Sequence, residues 1–303
     1  MKYSNGSPLR TVHNQQGVAL VVVLLALVLL TAMVVEFSYG VYTGTNDLYN
    51  WRDSQRLSVM AKSGITMAAK LLQNKELVSQ YTESIEMPVE NPFEDFNGTI
   101  TIRVEDESGK FNLNSIVPPN QDIHKDDPAS PYNCFKRLLT VLALDVKIAD
   151  RVVDWIDTNG EARLSDSEAD AKNGPLDSVD ELLLIHGISR EDYDKLLPYV
   201  TIYGSGKINI NSALKPVLRC LSDDISDELA QRIIDYRKSM PFKEAAGLES
   251  AGLSLKIYGP FSGMLAFDNS PFSIKSTAAS EGVKRVIETV LDETNIIHSW
   301  KEY

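Results

Sequence analysis

Cysteine is scarce in this chain, with only Cys134 and Cys220 among 303 residues. Two cysteines exclude a disulfide scaffold and a thiolate zinc site. In an oxidising compartment they leave room for one bridge, which needs Cα atoms within about 7 Å of each other. Histidine is as sparse. His13 precedes the long apolar run, and His124, His186 and His298 stand apart with no serine or cysteine nucleophile pattern beside them. No enzyme signature is assembled, so the chain reads as a non-enzyme. Gly204-Ser-Gly-Lys is too short for a phosphate loop and lacks the Lys-Ser/Thr pair. Positive charge is in deficit too: 30 Lys and Arg against 42 Asp and Glu give a formal net charge of -12. An acidic surface repels phosphate backbones, which argues against nucleic acid as the main partner. It favours solubility and, where carboxylates cluster, hard cations such as calcium.

What is present begins with residues 18–35, VALVVVLLALVLLTAMVV, unbroken by charge or proline. At 1.5 Å per residue they make a helix of roughly 27 Å, close to the hydrocarbon thickness of a bilayer. Lys2, Arg10 and His13 lie before the run and the acidic bulk lies after it. The positive-inside rule therefore expects a single-pass protein with a cytoplasmic N-terminus and its C-terminal bulk outside. The run is too long for a cleaved secretory signal, and Glu36-Phe37-Ser38-Tyr39 offers no small-x-small site. Two readings remain: a plain signal anchor, and a prepilin-type signal cut after a glycine on the cytoplasmic side, here between Gly17 and Val18.

Apart from Pro8, no proline occurs before Met87. Leu48, Trp51, Leu57, Met60, Ile65, Ala68 and Leu72 recur at helical spacing, so one long helix is expected from the membrane to about residue 78, loosened at Gly40 and Gly44. A loop is expected from Met87 to Asn97. Thr99-Ile-Thr-Ile-Arg-Val-Glu alternates as a strand, continued after a turn by residues 108–115. That last stretch has an echo: Ser108-Gly-Lys-Phe-Asn-Leu-Asn-Ser returns as Ser205-Gly-Lys-Ile-Asn-Ile-Asn-Ser, with six of eight positions identical. Each copy is expected to enter a helix through Asn-Ser as the N-cap. Between and after the copies the pattern is helical, over 134–144, 147–156, 178–186, 190–199, 216–221 and 227–239. Strands return at 272–276, 283–291 and 296–300.

Two segments invite a chemical reading. Taking Asp157 as position 1 of a twelve-residue calcium loop puts Asn159 at 3, Glu161 at 5 and Glu168 at 12, with Asp170 close by; these are the ligand types calcium takes. Position 6 is Ala162, where an EF-hand needs glycine, so the choice is between a carboxylate-rich calcium loop of another kind and a solvated acidic loop. The stretch from Val179 to Leu197 resembles a helix-hairpin-helix turning at His186-Gly187-Ile188-Ser189, and residues 229–242 look like half of another. Such hairpins often grip phosphate, but Glu191, Asp192 and Asp194 oppose that, which favours a packing module.

Taken together, Gln16-Gly17-Val18-Ala19-Leu20, Gly109-Lys-Phe-Asn-Leu-Asn, Val153-Asp-Trp-Ile-Asp, Leu196-Leu-Pro-Tyr-Val-Thr, Lys207-Ile-Asn-Ile-Asn-Ser-Ala and Arg237-Lys-Ser-Met-Pro-Phe carry a family likeness. The chain resembles the minor pseudopilin K family of type II secretion over nearly its whole length. The resemblance implies an α+β fold: a pilin-like long N-terminal helix packed on an antiparallel sheet, with a large inserted α-helical domain of helix-hairpin-helix or SAM-like kind. It divides the chain into a leader (1–17), the membrane part of the helix (18–35), the helix stalk with the first strands (36–115), the inserted helical domain (116–204), a second helical segment returning to the pilin domain (205–269) and C-terminal strands (270–303). It also implies structural calcium near the insertion, with Asp157, Asn159, Glu161, Glu168 and Asp170 as candidate ligands. The family's loop typically runs into Gly-Ala-Glu-Asp, where this chain has Ser-Asp-Ser-Glu168-Ala-Asp170. Implied partners are minor pseudopilins I and J, the prepilin peptidase and the inner membrane; the implied place is the tip of the periplasmic pseudopilus, nucleating or capping the fibre. Cleavage falls between Gly17 and Val18, with methylation of the new amine. Most pilin-type subunits carry glutamate at the fifth mature position, tolerable in hydrocarbon when paired with a neighbour's terminal ammonium. Here that residue is Val22, which suits a subunit with none ahead of it. The alternative function is a membrane-anchored helix-hairpin-helix DNA receptor of competence type.

Overall fold

The structure, a computed structural model, describes residues 15–73, 85–89, 97–118, 123, 125–168, 170–268, 270–292 and 294–303. The proline-free stretch forms helix α1, Gln15–Leu72. It passes through Gly40 and Gly44 unbroken. A lone glycine costs a helix only about 1 kcal/mol, which many good helix formers on either side absorb. The helix ends at Leu72, short of the expected residue 78; residues 74–84 lie outside the described set.

The chain divides into two units, one up to Arg56 and one from Leu57 to Tyr303. In the first, every residue from Val18 to Val35 is exposed. This part of α1 is long and apolar enough to cross a membrane.

The second unit begins with the amphipathic end of α1. Leu57, Met60, Ala61, Ile65 and Ala68 form one stripe, buried against a five-stranded antiparallel sheet. Its strands are β1 (Ile85–Val89), β2 (Thr99–Asp106), β7 (Phe272–Ser280), β8 (Val283–Leu291) and β9 (Ile297–Glu302), in that spatial order. Alternation decides the buried face: Ile100, Ile102 and Val104 of β2 and Phe272, Ile274 and Ala278 of β7 meet the helix. Part of the expected Met87–Asn97 loop is β1. Pairing with β2 prevails there over Pro88, which an edge strand tolerates.

The insertion starts where a strand pair ends. Asp106 pairs with Phe272 across β2 and β7, and the chain between them leaves the sheet. Of the sequence-based boundaries, 116 falls ten residues after Asp106, 205 falls between β4 and β5, and 270 falls two residues before β7. Residues 108–115 do not prolong β2, because a turn of 3-10 helix at Glu107–Gly109, capped by the Asp106 carboxylate, redirects the chain.

Two modules of the same plan follow. The first runs through β3 (Phe111–Asn112), α2 (Pro131–Val141), α3 (Lys147–Ile156), a 3-10 segment (Val179–Leu184), α4 (Arg190–Leu196) and β4 (Val200–Thr201). The second repeats the order with β5 (Ile208–Asn209), α5 (Lys215–Cys220), α6 (Asp227–Ser239), a 3-10 segment (Ala245–Ala251), α7 (Leu255–Tyr258) and β6 (Leu265–Ala266). Each module closes by pairing its first and last strands in parallel, β3 with β4 and β5 with β6. One apolar core runs through both, from Phe111, Phe135 and Val152 to Ile208, Ile233 and Leu265.

The echoed octapeptides are the hinges of this duplication. Asn112 and Asn209 each accept from the backbone N–H two residues on, so the first asparagine of each copy makes the turn. The expected Asn-Ser caps do not form, because Asn114 and Asn211 reach across the module instead. Asn114 takes the N–H of Leu176 at 2.8 Å and donates to its carbonyl at 3.0 Å. Asn211 does the same to Phe242, at 2.8 Å each way. The glycines of the copies pack reciprocally: a side chain on Gly109 would strike Ser212, and one on Gly206 would strike Ser115. Cys134 of α2 and Cys220 of α5 meet where the modules join. Both are free and fully buried, with their sulfurs 2.8 Å apart.

Candidate functional site

The acidic segment follows α3, whose inward residues Ile148, Val152, Val153 and Trp155 are buried. Helical spacing carries Asp154 inside with them, and it is fully buried. Residues 157–168 and 170–178 then return to the end of the helix, where Arg163 and Ser167 meet Asp154 and Asn173 meets Trp155. Asp154 Oδ1 accepts from Arg163 Nη1 at 2.6 Å. Its Oδ2 accepts from the Arg163 backbone N–H at 2.8 Å and from the Ser167 hydroxyl. Asp157 Oδ2 accepts from the same Arg163 Nη1 at 2.6 Å and from Asn159 Nδ2 at 3.1 Å. Its other oxygen, Oδ1, is buried with no hydrogen-bond partner, and so is Glu168 Oε1. Burial pushes the Glu168 carboxyl above its ordinary value, and the charges of Asp154 and Asp157 push it further. The far end of the loop is tied down by the Asn173 N–H, which donates to the Trp155 carbonyl, and by Lys172, paired with Asp177 and Glu181.

Of the five residues expected as ligands, Asp157 and Asn159 are hydrogen-bonded, and Glu168 lies near enough to feel the charges of Asp154 and Asp157. The side chains of Glu161 and Asp170 are exposed; Glu161 joins only through its N–H, which donates to Asn159 Oδ1 at 2.7 Å. Sequence reasoning missed Asp154, Arg163 and Ser167. Asp154 stands in the quoted Val153-Asp-Trp-Ile-Asp, but a loop frame that starts at Asp157 hides it. Among the described residues, no three His, Cys, Asp or Glu side chains converge closely enough to hold a metal ion as they stand. The Arg163 guanidinium lies between the two aspartates instead. Even so, Asp157 is only 5% exposed and keeps an unpartnered oxygen. Buried carboxylate oxygens ordinarily carry a partner, and a hard cation supplies one, so the residues present fit calcium.

At the other end of the chain, Gly17 and Val18 lie in the first turns of α1, and Val22 is exposed on the apolar run. Leader residues 1–14 fall outside the described set. The hairpin turn at His186-Gly187 leads into α4, where Ser189 and Asp192 form a reciprocal cap. The Asp192 carboxylate thus sits at the helix start that a phosphate would approach. His186 pairs with Asp166 and His298 with Asp292, while His13 and His124 lie outside the described residues. The expected half-hairpin of the second module is a whole one. Its second helix, α7, is a single turn, too short to leave a periodic signal.

Comparison with known proteins agrees with this division. Models of the family described as type II secretion system (T2SS), protein K match residues 109–205 and 208–266, which are the two modules. The type II secretion system protein K of Pseudomonas aeruginosa is 29% identical over 255 residues, covering 74% of this chain and 73% of its own length. That of Klebsiella pneumoniae is 29% identical over 227 residues, covering 67% and 68%. A chain of the solved GspK-GspI-GspJ complex, from the type 2 secretion system of enterotoxigenic Escherichia coli, has the same fold. The TM-score is 0.66 at 16% identity, over 84% of this chain and 98% of that one. With both modules matched and the pilin-like frame around them shared, the chain belongs to the type II secretion system protein K family.

Proposed function

We propose that this chain is the minor pseudopilin at the tip of the type II secretion pseudopilus, where it nucleates or caps the fibre together with minor pseudopilins I and J. The observation that carries the tip position is Val22. An uncharged fifth mature residue cannot pair with the ammonium of a subunit ahead of it. The partner assignment draws on the solved complex, in which a protein of this fold is assembled with GspI and GspJ. The two-module insertion adds bulk to the pilin frame, which suits an end position better than a repeated one. The chain sits in the inner membrane by α1, with residues 1–17 cytoplasmic and the domain from Leu57 periplasmic. The prepilin peptidase cuts between Gly17 and Val18. The acidic insertion and the capped hairpin disfavour nucleic acid as a partner. Immunogold labelling of sheared pseudopili tests the reading: gold at one fibre end is expected, and gold along the length overturns it. Gly17→Ala is expected to abolish the peptidase-dependent mobility shift.

Structural calcium is part of the proposal. Asp157 Oδ1 and Glu168 Oε1 are the oxygens available to it, with Asp154 and Asn159 beside them and Glu161 and Asp170 at the loop surface. Bound there, the ion supplies the positive charge that the buried carboxylates lack. A melting scan with and without chelator tests it. With calcium at a hundred times its dissociation constant, the folded state gains about 2.7 kcal/mol, so chelation should lower the midpoint by several degrees. An unmoved midpoint removes calcium from the account.

A further inference from the structure

We infer that Arg163 is a built-in competitor for the divalent cation: its guanidinium holds the cation's seat between Asp154 and Asp157, and thereby sets how tightly the loop binds metal. The inference rests on the calcium reading above. One nitrogen, Nη1, serves both carboxylates, at 2.6 Å each. A guanidinium on a carboxylate frequently docks two nitrogens in parallel. Here Nε is left buried without a partner. The guanidinium is therefore held by charge more than by fit, as a stand-in ion would be.

The charge balance points the same way. Asp154 and Asp157 share the single Arg163 guanidinium, and Glu168 Oε1 is a further buried carboxylate oxygen of the same loop with no partner. Two aspartates against one guanidinium leave the pair short of positive charge, before Glu168 is counted. The unpartnered oxygens, Asp157 Oδ1 and Glu168 Oε1, are what such an ion would take up. A divalent ion and a guanidinium on the same aspartate repel strongly in a partly dehydrated site. Ion entry therefore drives Arg163 outward. Its side chain, 17% exposed, already borders solvent, so the way out is open. Arg163 thus partly offsets the charge of Asp154 and Asp157, and ion binding would release it to the surface. The seat is specific to the first module, because the second has only residues 240–244 at the corresponding place.

The test is calorimetric titration of calcium into the full-length, detergent-solubilised protein and its Arg163→Gln variant. The variant should bind about tenfold more tightly, the equivalent of about 1.4 kcal/mol. Its metal-free melting midpoint should fall, while its calcium-saturated midpoint should match the parent. An affinity that is unchanged or weaker in Arg163→Gln, with the parent binding normally, overturns the competitor role and leaves the calcium reading standing. No binding to either protein overturns both. A second measurement needs no variant: phenylglyoxal labelling of Arg163, read by mass spectrometry, should rise when calcium is added. Protection of Arg163 by calcium overturns the inference.

Discussion

The two inserted modules share a frame and differ in one loop. Both open on an Asn-bearing strand, fold two helices, close a glycine hairpin and return to pair with their own first strand. The agreement extends to side chains. Ala149-Asp-Arg-Val-Val-Asp-Trp155 of α3 matches Ala230-Gln-Arg-Ile-Ile-Asp-Tyr236 of α6. A side chain on Gly187 would strike the Arg151 guanidinium, and one on Gly252 would press on that of Arg232. Leu176 and Phe242 stand three residues before their 3-10 segments, each after a proline, and each is clamped by the second asparagine of its echo. Between helix and clamp, however, the first module carries the long acidic loop and the second only a short link. The matching aspartates show the consequence: Asp154 is buried under the loop, whereas Asp235 is exposed. The frame is a matter of packing and backbone hydrogen bonds, and the buried charges of Asp154 and Asp157 meet the piece added to one copy.

The junction between the copies gives the largest expected effect. Cys134 and Cys220 come from matching helices of the two modules, and their sulfurs are adjacent. Burial pushes the Cys220 thiol up, so it is inert as a nucleophile once folded. In an oxidising compartment a bond between them would close a loop of 86 residues, worth about 4.6 kcal/mol in chain entropy. Protein prepared from an oxidising compartment is expected to melt well above the same protein refolded with reductant. Equal midpoints, or two thiols that label freely after denaturation, would show that the junction is held by packing alone.

The asparagine clamps separate frame from loop. Asn211→Ala leaves the buried N–H and carbonyl of Phe242 unpaired and should cost about 3 kcal/mol; Asn114→Ala, at a half-buried site, should cost about 2. Urea titrations measure both. The sharper contrast is in their response to chelator. Leu176 ends the acidic loop, so Asn114→Ala should also weaken calcium binding, whereas Asn211→Ala should lose stability equally with and without metal. If both variants respond to chelator alike, the loop is not an independent device.

Much of this organisation was legible in the sequence, for identifiable reasons. The apolar run, the strand of Thr99–Asp106 and the helices Lys147–Ile156 and Asp227–Ser239 announce themselves by periodicity. The echo of eight residues was visible, but its meaning was not. Alternating Asn suggests strands and caps, while its actual work is long-range, from Asn114 to Leu176 and from Asn211 to Phe242. Such contacts carry no local pattern. The wider duplication was masked because Val153-Asp-Trp and Ile234-Asp-Tyr are similar without being identical, and because the loop shifts everything after Ile156 out of step. Asp154 was hidden by the helix that buries it, and Arg163 because a lone arginine in an acidic loop carries no signal of the two aspartates it meets in space.

The smallest expected change in stability belongs to the most direct exchange. Replacing residues 157–174 with Lys238-Ser239-Met240 would give the first module the second module's link. Loop length alone alters closure entropy by about 1 to 2 kcal/mol, and a shorter loop gains that amount. Against this stands the loss of the loop's own bonds, from Asn173 to Trp155 and from Arg163 to Asp154. Asp154 would become exposed and hydrated as Asp235 is, so no buried charge is stranded. The two contributions oppose each other, and the melting midpoint should move by only a few degrees. The response to calcium should vanish while the Leu176 and Phe242 clamps stay intact. If the grafted protein instead fails to fold, the loop is part of the first module's frame, and the two copies are less alike than their helices suggest.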